Sequence, residues 1–171
     1  MNQKGFTLTE LLVVTAIIVI LSAIILPSYR IGERQLNLQG SAYKLSQDLR
    51  RAEELSMSAK DFSCGAGWRM KGYGLTLAAN NDYYWLKARC DEIASPGPPY
   101  DDRPVGNRID LEKGVKILIL TINPLGIFFY PPEPEVDLAG FNEAQITISL
   151  KTDISKTKTV TINKAGLINV E

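Results

Sequence analysis

From Phe6 to Leu26 the chain is apolar or small at every position except Thr7, Thr9, Glu10, Thr15 and Ser22. At about 1.5 Å per helical residue the run covers roughly 30 Å, the thickness of a bilayer's hydrocarbon core. Beyond it the helical period continues in a different form. Leu38, Ala42, Leu45, Leu49, Ala52, Ser56 and Ala59 recur at alternating spacings of four and three, which puts them in one stripe on one helix. Arg34, Lys44, Arg50, Arg51, Glu53 and Glu54 fall mostly off that stripe. Pro27, Gly32 and Gly40 can bend such a helix without ending it. The pattern predicts one helix from Phe6 to about Ala59, apolar all round in its first half and amphipathic in its second. The small residues of the stripe suit packing on a sheet; a two-stranded coiled coil over 34 to 60 is the alternative.

After Lys60 the period changes to that of strands. The runs Tyr73–Ala79 and Tyr83–Cys90 flank Asn80-Asn81-Asp82 and predict a β-hairpin. Further strands are expected at Lys116–Thr121, Gly126–Tyr130, Ala144–Lys151, Thr157–Asn163 and Leu167–Val170, with Ile146, Ile148 and Leu150 facing a core and Thr147, Ser149 and Lys151 facing water. Between them, Glu92 to Arg108 holds Pro96, Pro98, Pro99, Pro104, Gly97 and Gly106 and reads as a surface loop of about 17 residues. A second proline patch, Tyr130 to Glu135, reads as a stiff connector, with a polyproline ligand as the alternative. The fold class is α+β: a long N-terminal helix packed on a C-terminal antiparallel β-sheet domain.

The totals narrow the chemistry. The 171 residues correspond to about one domain, and Lys+Arg 19 against Asp+Glu 19 leaves no net field to draw in nucleic acid or an anionic surface. The chain has no histidine, which removes the usual general base, the commonest zinc ligand and the Ser-His-Asp arrangement. An enzyme is not expected, and neither is a cofactor or a metal. Cys64 and Cys90 are too few for a thiolate site; outside the cytoplasm they could close a loop of about 27 residues, worth roughly 3 kcal/mol, and otherwise they would be two buried thiols.

Glu10 is the informative position. A carboxylate within a membrane-length run costs about 2.5–3.5 kcal/mol and calls for a partner. No Lys or Arg follows it until Arg30, too far along the helix to reach it. The cation must come from elsewhere. A cut between Gly5 and Phe6 would create one, the new α-amino group of Phe6, in the same chain or in a neighbouring copy. Signal-peptide cleavage on the far side is disfavoured, because Leu21-Ser22-Ala23 lacks the small-residue pattern and the apolar run continues to Leu26.

Lys4-Gly5-Phe6-Thr7-Leu8-Thr9-Glu10-Leu11-Leu12-Val13 resembles the class III signal of type IV pilins and pseudopilins. The resemblance implies a membrane-embedded prepilin peptidase that cuts after Gly5 and methylates Phe6. It also implies that Glu10 neutralises the amine of an adjacent subunit during assembly, and it places Pro27 where the family often has a bending proline. It divides the chain into a leader (1–5), a transmembrane and assembly helix (6–27), an amphipathic helix packed on the sheet (28–60) and a β-rich extracytoplasmic domain (61–171). The expected location is the cytoplasmic (inner) membrane as a single-pass protein, then a pilus or pseudopilus, and this compartment favours the Cys64–Cys90 disulfide.

Short motifs in the body, Gln47-Asp48-Leu49-Arg50-Arg51-Ala52, Asn123-Pro124-Leu125-Gly126 and Val160 to Ile168, resemble the GspH/FimT-type minor pseudopilins. The two proline-rich segments depart from that pattern. The implied function is a structural subunit of a type II secretion pseudopilus or type IV pilus, whose partners are the peptidase and other subunits. The alternatives are a minor pilin acting as a DNA receptor and a plain signal-anchored β domain.

Other constellations carry less. Gly65-Ala66-Gly67 and Gly72-Tyr73-Gly74 lack the lysine and the following helix of a phosphate loop. Asp101, Asp102, Asp110 and Glu112 lack calcium-loop spacing, and Asp91-Glu92 has no defined cleft. Lys151, Lys156, Lys158 and Lys164 form the one candidate basic stretch for DNA, without interleaved aromatics.

Overall fold

The computed structural model describes residues 7–58, 60–132 and 135–171, and the backbone alone at 26–28. The expected helix limits Phe6 and Ala59 therefore lie outside the described residues. The fold is α+β, a long N-terminal helix α1 (Leu8–Met57) with antiparallel strands after it. By contacts the chain divides into two units between Leu36 and Asn37, within α1. In the first unit the large apolar side chains from Leu8 to Ile25 are exposed.

In the second unit α1 buries the stripe that its period predicts. Leu38, Ala42, Leu45, Leu49, Ala52 and Ser56 are buried, whereas Arg50, Arg51 and Glu54 are exposed. Ser41 and Ser46 are buried beside the stripe as well. Polar groups fix α1 to the strands. The Ser56 hydroxyl accepts from Tyr73 N–H at 2.8 Å, the Ser41 hydroxyl accepts from Glu112 N–H at 3.0 Å, and the Tyr84 hydroxyl donates to Asp48 at 2.6 Å. Burial, together with the bond to Asp48, pushes the Tyr84 hydroxyl pKa above its ordinary value.

The strands form two sheets where the sequence pattern suggested one. In the first, β3 (Asp101–Pro104), β2 (Tyr83–Glu92), β1 (Trp68–Leu77), β6 (Leu125–Tyr130) and β7 (Glu135–Asp137) lie in that order, and β4 (Ile109–Asp110) pairs with the start of β2. In the second the order is β10 (Ile168–Val170), β9 (Thr157–Asn163), β8 (Glu143–Leu150) and β5 (Val115–Leu120). A period of two identifies strands but not their neighbours, so the split was invisible in the sequence. The expected hairpin is β1–β2, with Asn80 at φ 66°, a left-handed conformation that asparagine tolerates. Its tip joins the sheets: Asn80 N–H donates to Ile117 C=O and Ile117 N–H to Asn81 C=O, both at 2.8 Å. Tyr73, Leu75, Leu77, Ile127 and Phe129 of the first sheet and Ile117, Ile146, Ile148, Val160 and Ile162 of the second share one core with the helix stripe.

Three expectations need correction. Ser149, expected to face water from β8, is fully buried, because the alternation of burial stops at the end of that strand. The 92–108 segment is not only a surface loop: β3 within it pairs with β2 from Lys87↔Pro104 to Cys90↔Asp101. Asp101-Asp102-Arg103-Pro104 has no apolar alternation, so pairing at a sheet edge left no hydrophobic trace. The Tyr130–Glu135 patch, expected to be a connector, turns β6 back onto β7, with Tyr130↔Glu135 in register; Glu133 and Pro134 lie outside the described residues.

Gly72 and Gly74, considered above as loop glycines, are instead strand residues of β1 under close contact. A Cβ on Gly74 would be driven into the Ile127 carbonyl and would stand 2.6 Å from Cδ1 of Phe128. We expect Gly74→Ala to destabilise the domain by at least the ~1–3 kcal/mol of an overpacked core. Urea titration followed by tryptophan fluorescence measures it, and an unchanged midpoint would show that the strands can part at no cost.

Candidate functional site

The first candidate is the start of α1. The Thr7 N–H and hydroxyl both donate to Oε2 of Glu10, at 2.9 and 2.7 Å, and Glu10 N–H points back to the Thr7 hydroxyl at 3.3 Å. This is a capping box, built on the Thr-x-x-Glu spacing of Thr7-Leu8-Thr9-Glu10. It satisfies donors that the first helical turn leaves unpaired. The reading of Glu10 as a residue waiting for a cation therefore missed a local partner, which the same four letters encode. Glu10 is the one charged residue between Leu8 and Leu26. α1 is the one helix among the described residues long and apolar enough to cross a membrane, and none of its apolar window is buried. Gly5 and Phe6, the expected cleavage and methylation positions, lie outside the described residues.

The second candidate was not foreseen. On the face of the first sheet turned away from the helix, the Arg89 guanidinium binds Asp102 through two bonds, at 2.7 and 2.9 Å. It also donates to Asp137 at 2.8 Å and to the Tyr130 hydroxyl at 3.0 Å, and that hydroxyl donates to Asp137 at 3.0 Å. The guanidinium lies 3.6 Å from the centre of the Phe128 ring. Burial works against the charge on Arg89, but the bonds to Asp102 and Tyr130 outweigh it, so its pKa lies above the ordinary value. Phe128 is fully buried here without belonging to the main core, because Gly74 and Gly126 leave room for its ring. One cation thus holds β2, β3, β6 and β7 together. The alternating glycines of β1, Gly72 and Gly74, are the signal for this site in the sequence, and they resemble a phosphate loop only in composition.

The remaining candidates disperse. Cys64 and Cys90 are bonded Sγ to Sγ with their Cα atoms 5.8 Å apart, which ties the segment after α1 to β2. Asp101 pairs with Arg103 and Asp110 with Arg108, while Asp102 belongs to Arg89. Lys151 is engaged by Asp82 at 2.6 Å. Lys158 is the second residue of β9 and Lys164 follows its end, roughly 20 Å apart at strand rise, so the four lysines do not make one patch. Asp91 is buried, accepting from Gly97 N–H at 2.9 Å and from Arg69 at 3.2 Å; the Gly97 bond is the main cause that holds its carboxyl below the usual range.

Removing the cation should expose the clamp's cost. Arg89→Met is expected to lose about 3 kcal/mol, because two partly buried carboxylates lose their partner. Asp102→Asn with Asp137→Asn in that background should recover part of the loss in urea titrations; additive losses would rule out the charge argument. For Asp91, a pKa lowered by folding stabilises the fold above the ordinary carboxylate value, and the gain disappears as pH falls through the folded value. The stability difference between the wild type and Asp91→Asn should therefore shrink between about pH 5 and about pH 3. A constant difference across that window would show that the charge contributes nothing.

Comparison with known proteins adds one finding. Residues 1–26 match the family described as "Prokaryotic N-terminal methylation motif". No curated protein and no solved structure matches the chain. The capped, apolar start of α1, with Glu10 in its first turn, falls within the matched residues, and the match supports a type IV pilin-like protein whose N-terminus a prepilin peptidase processes.

Proposed function

We propose that the chain is a structural subunit, not an enzyme, of a type IV pilus or a type II secretion pseudopilus, and that its body is of the GspH/FimT minor type. One observation carries the reading: the methylation motif at 1–26 coincides with the apolar first part of α1, where the single charged residue between Leu8 and Leu26, Glu10, lies in the first turn. The peptidase cuts between Gly5 and Phe6 and methylates the new amine. The Thr7–Glu10 capping box lies wholly on the retained side of that cut, so processing leaves it intact. Glu10 then has two competing partners, the N-terminus of its own helix and the Phe6 amine of a neighbour.

The first partner is local and exposed, and it stabilises only the first turn of the helix. The second matters once helices pack, because a charge left unpaired between them costs about 3–5 kcal/mol. Assembly therefore favours the stagger that brings a neighbour's amine to Glu10, and the cap keeps the carboxylate satisfied until then. Before assembly the apolar segment holds the subunit in the cytoplasmic membrane with the β domain outside. The Cys64–Cys90 bond supports that side, where disulfides persist.

The test is intact mass and N-terminal sequencing of membrane-extracted protein, co-expressed with and without a prepilin peptidase. Methylated Phe6 should appear as the N-terminus only with the peptidase; retention of Met1 to Gly5 in its presence would overturn the reading. Glu10→Val should insert into the membrane normally and be lost from sheared fibres. Incorporation at the wild-type level would remove the register argument while leaving processing in place.

A further inference from the structure

β1 is longer than one of its two neighbours. β2 pairs with it from Trp68 onward, whereas β6 pairs with it only from Tyr73 to Leu77. The stretch from Trp68 to Lys71 thus has a strand on one side and none on the other among the described residues. β6 cannot extend to cover it, because the chain after Tyr130 continues as Pro131-Pro132, which has no amide hydrogen to give. Beside this open edge is a cleft of about 490 Å³ lined by Arg69, Met70, Lys71, Asp91, Pro96, Gly97 and Pro131. Both proline-rich segments of the sequence therefore meet at one place.

The lining has an excess of positive charge. Asp91 is its single carboxylate; its side chain is 4% exposed and both oxygens are already engaged, by Gly97 and Arg69. The Arg69 side chain is 60% exposed and uses one nitrogen on Asp91, leaving other donors toward solvent. Lys71, at the irregularity between Met70 and Gly72, donates to the Tyr100 hydroxyl at 2.6 Å and lies over the rings of Tyr100 and Tyr130. The walls are set in advance, since Arg89 fastens Asp102 of β3 and Tyr130 of β6. Prolines and a fixed frame lose little freedom when something binds.

The geometry points to this edge as a docking site for an extended acidic segment of a partner protein, which adds as a short strand beside Trp68–Lys71. Main-chain bonds to the open edge supply affinity, and side chains at alternate positions supply selectivity. Arg69 and Lys71 flank Met70, with Lys71 the extra residue at the irregularity, so the matching segment carries carboxylates toward both cations and an apolar residue beside Met70. The rival account is that a bulge, two cations and flanking prolines only protect the edge from pairing, as sheet edges often do. This site does not depend on the processing of the N-terminus.

The probe is an acetylated and amidated pentapeptide, Glu-Val-Glu-Val-Glu, with Lys-Val-Lys-Val-Lys as control, added to the full chain in detergent micelles. NMR shifts and amide exchange are followed residue by residue. The acidic peptide should bind saturably, with shifts confined to Trp68–Lys71 and Pro96–Gly97 and slower exchange at Met70, and the lysine peptide should not bind. Arg69→Gln and, separately, Lys71→Met should each weaken binding roughly tenfold. The second variant keeps the aliphatic stem between the tyrosine rings and guards against loss of fold. Absence of saturable binding at millimolar peptide, binding indifferent to both substitutions, or shifts centred elsewhere would each leave edge protection as the account. Self-association that occupies the same amides would show that the occupant is a second copy, and the proposal would fall.

Discussion

The second unit depends on one seam, the stripe Leu38, Ala42, Leu45, Leu49, Ala52 and Ser56 of α1. It meets the inner faces of two sheets at once. Neither sheet alone offers the other enough apolar area, and the helix supplies the third side. Ala42, Ala52 and Ser56 let backbones approach, while Leu38, Leu45 and Leu49 fill the gaps between strands. Where the stripe and its margin are polar they are bonded, Ser56 to Tyr73 N–H and Ser41 to Glu112 N–H, so the seam carries direction as well as contact. Hydrophobic burial fixes that the helix packs, and these bonds fix where along the strands it packs.

Much of this was readable because burial leaves a period. The stripe, the β1–β2 hairpin and strands β8 and β9 alternate apolar with polar at the spacing their geometry needs. Sheet membership, and the pairing of β3 and β7, left no such trace. Asp101-Asp102-Arg103-Pro104 is in a sheet because its backbone pairs with β2 and because Asp102 meets Arg89, two facts that depend on residues far away in sequence. The capping box is legible in the Thr-x-x-Glu spacing, which places a threonine three residues before Glu10. The Arg89 clamp was signalled only indirectly, by glycines at alternate positions of β1. Those glycines mark a strand with an aromatic ring lying across it.

The outer face of the first sheet shows how a polar surface can be organised around one apolar insertion. Phe128 is buried against glycine backbone, Arg89 covers it, and the carboxylates of β3 and β7 cover Arg89. Each layer makes the next tolerable. The ring excludes water from the guanidinium, which strengthens the ion pairs, and the ion pairs compensate the charge for its loss of water. The arrangement substitutes for a second hydrophobic core on a face that has no helix.

The bonds at the β1–β2 hairpin tip have a mechanical meaning. Asn80 and Asn81 splice the first sheet to Ile117 of the second, and α1 is tied separately to strands of the first sheet and to the turn leading into the second. A pull applied through the helix is therefore divided over two sheets that are themselves stitched together. Several bonds share the load, so the loss of any one leaves this part of the helix attached to the strands through the others.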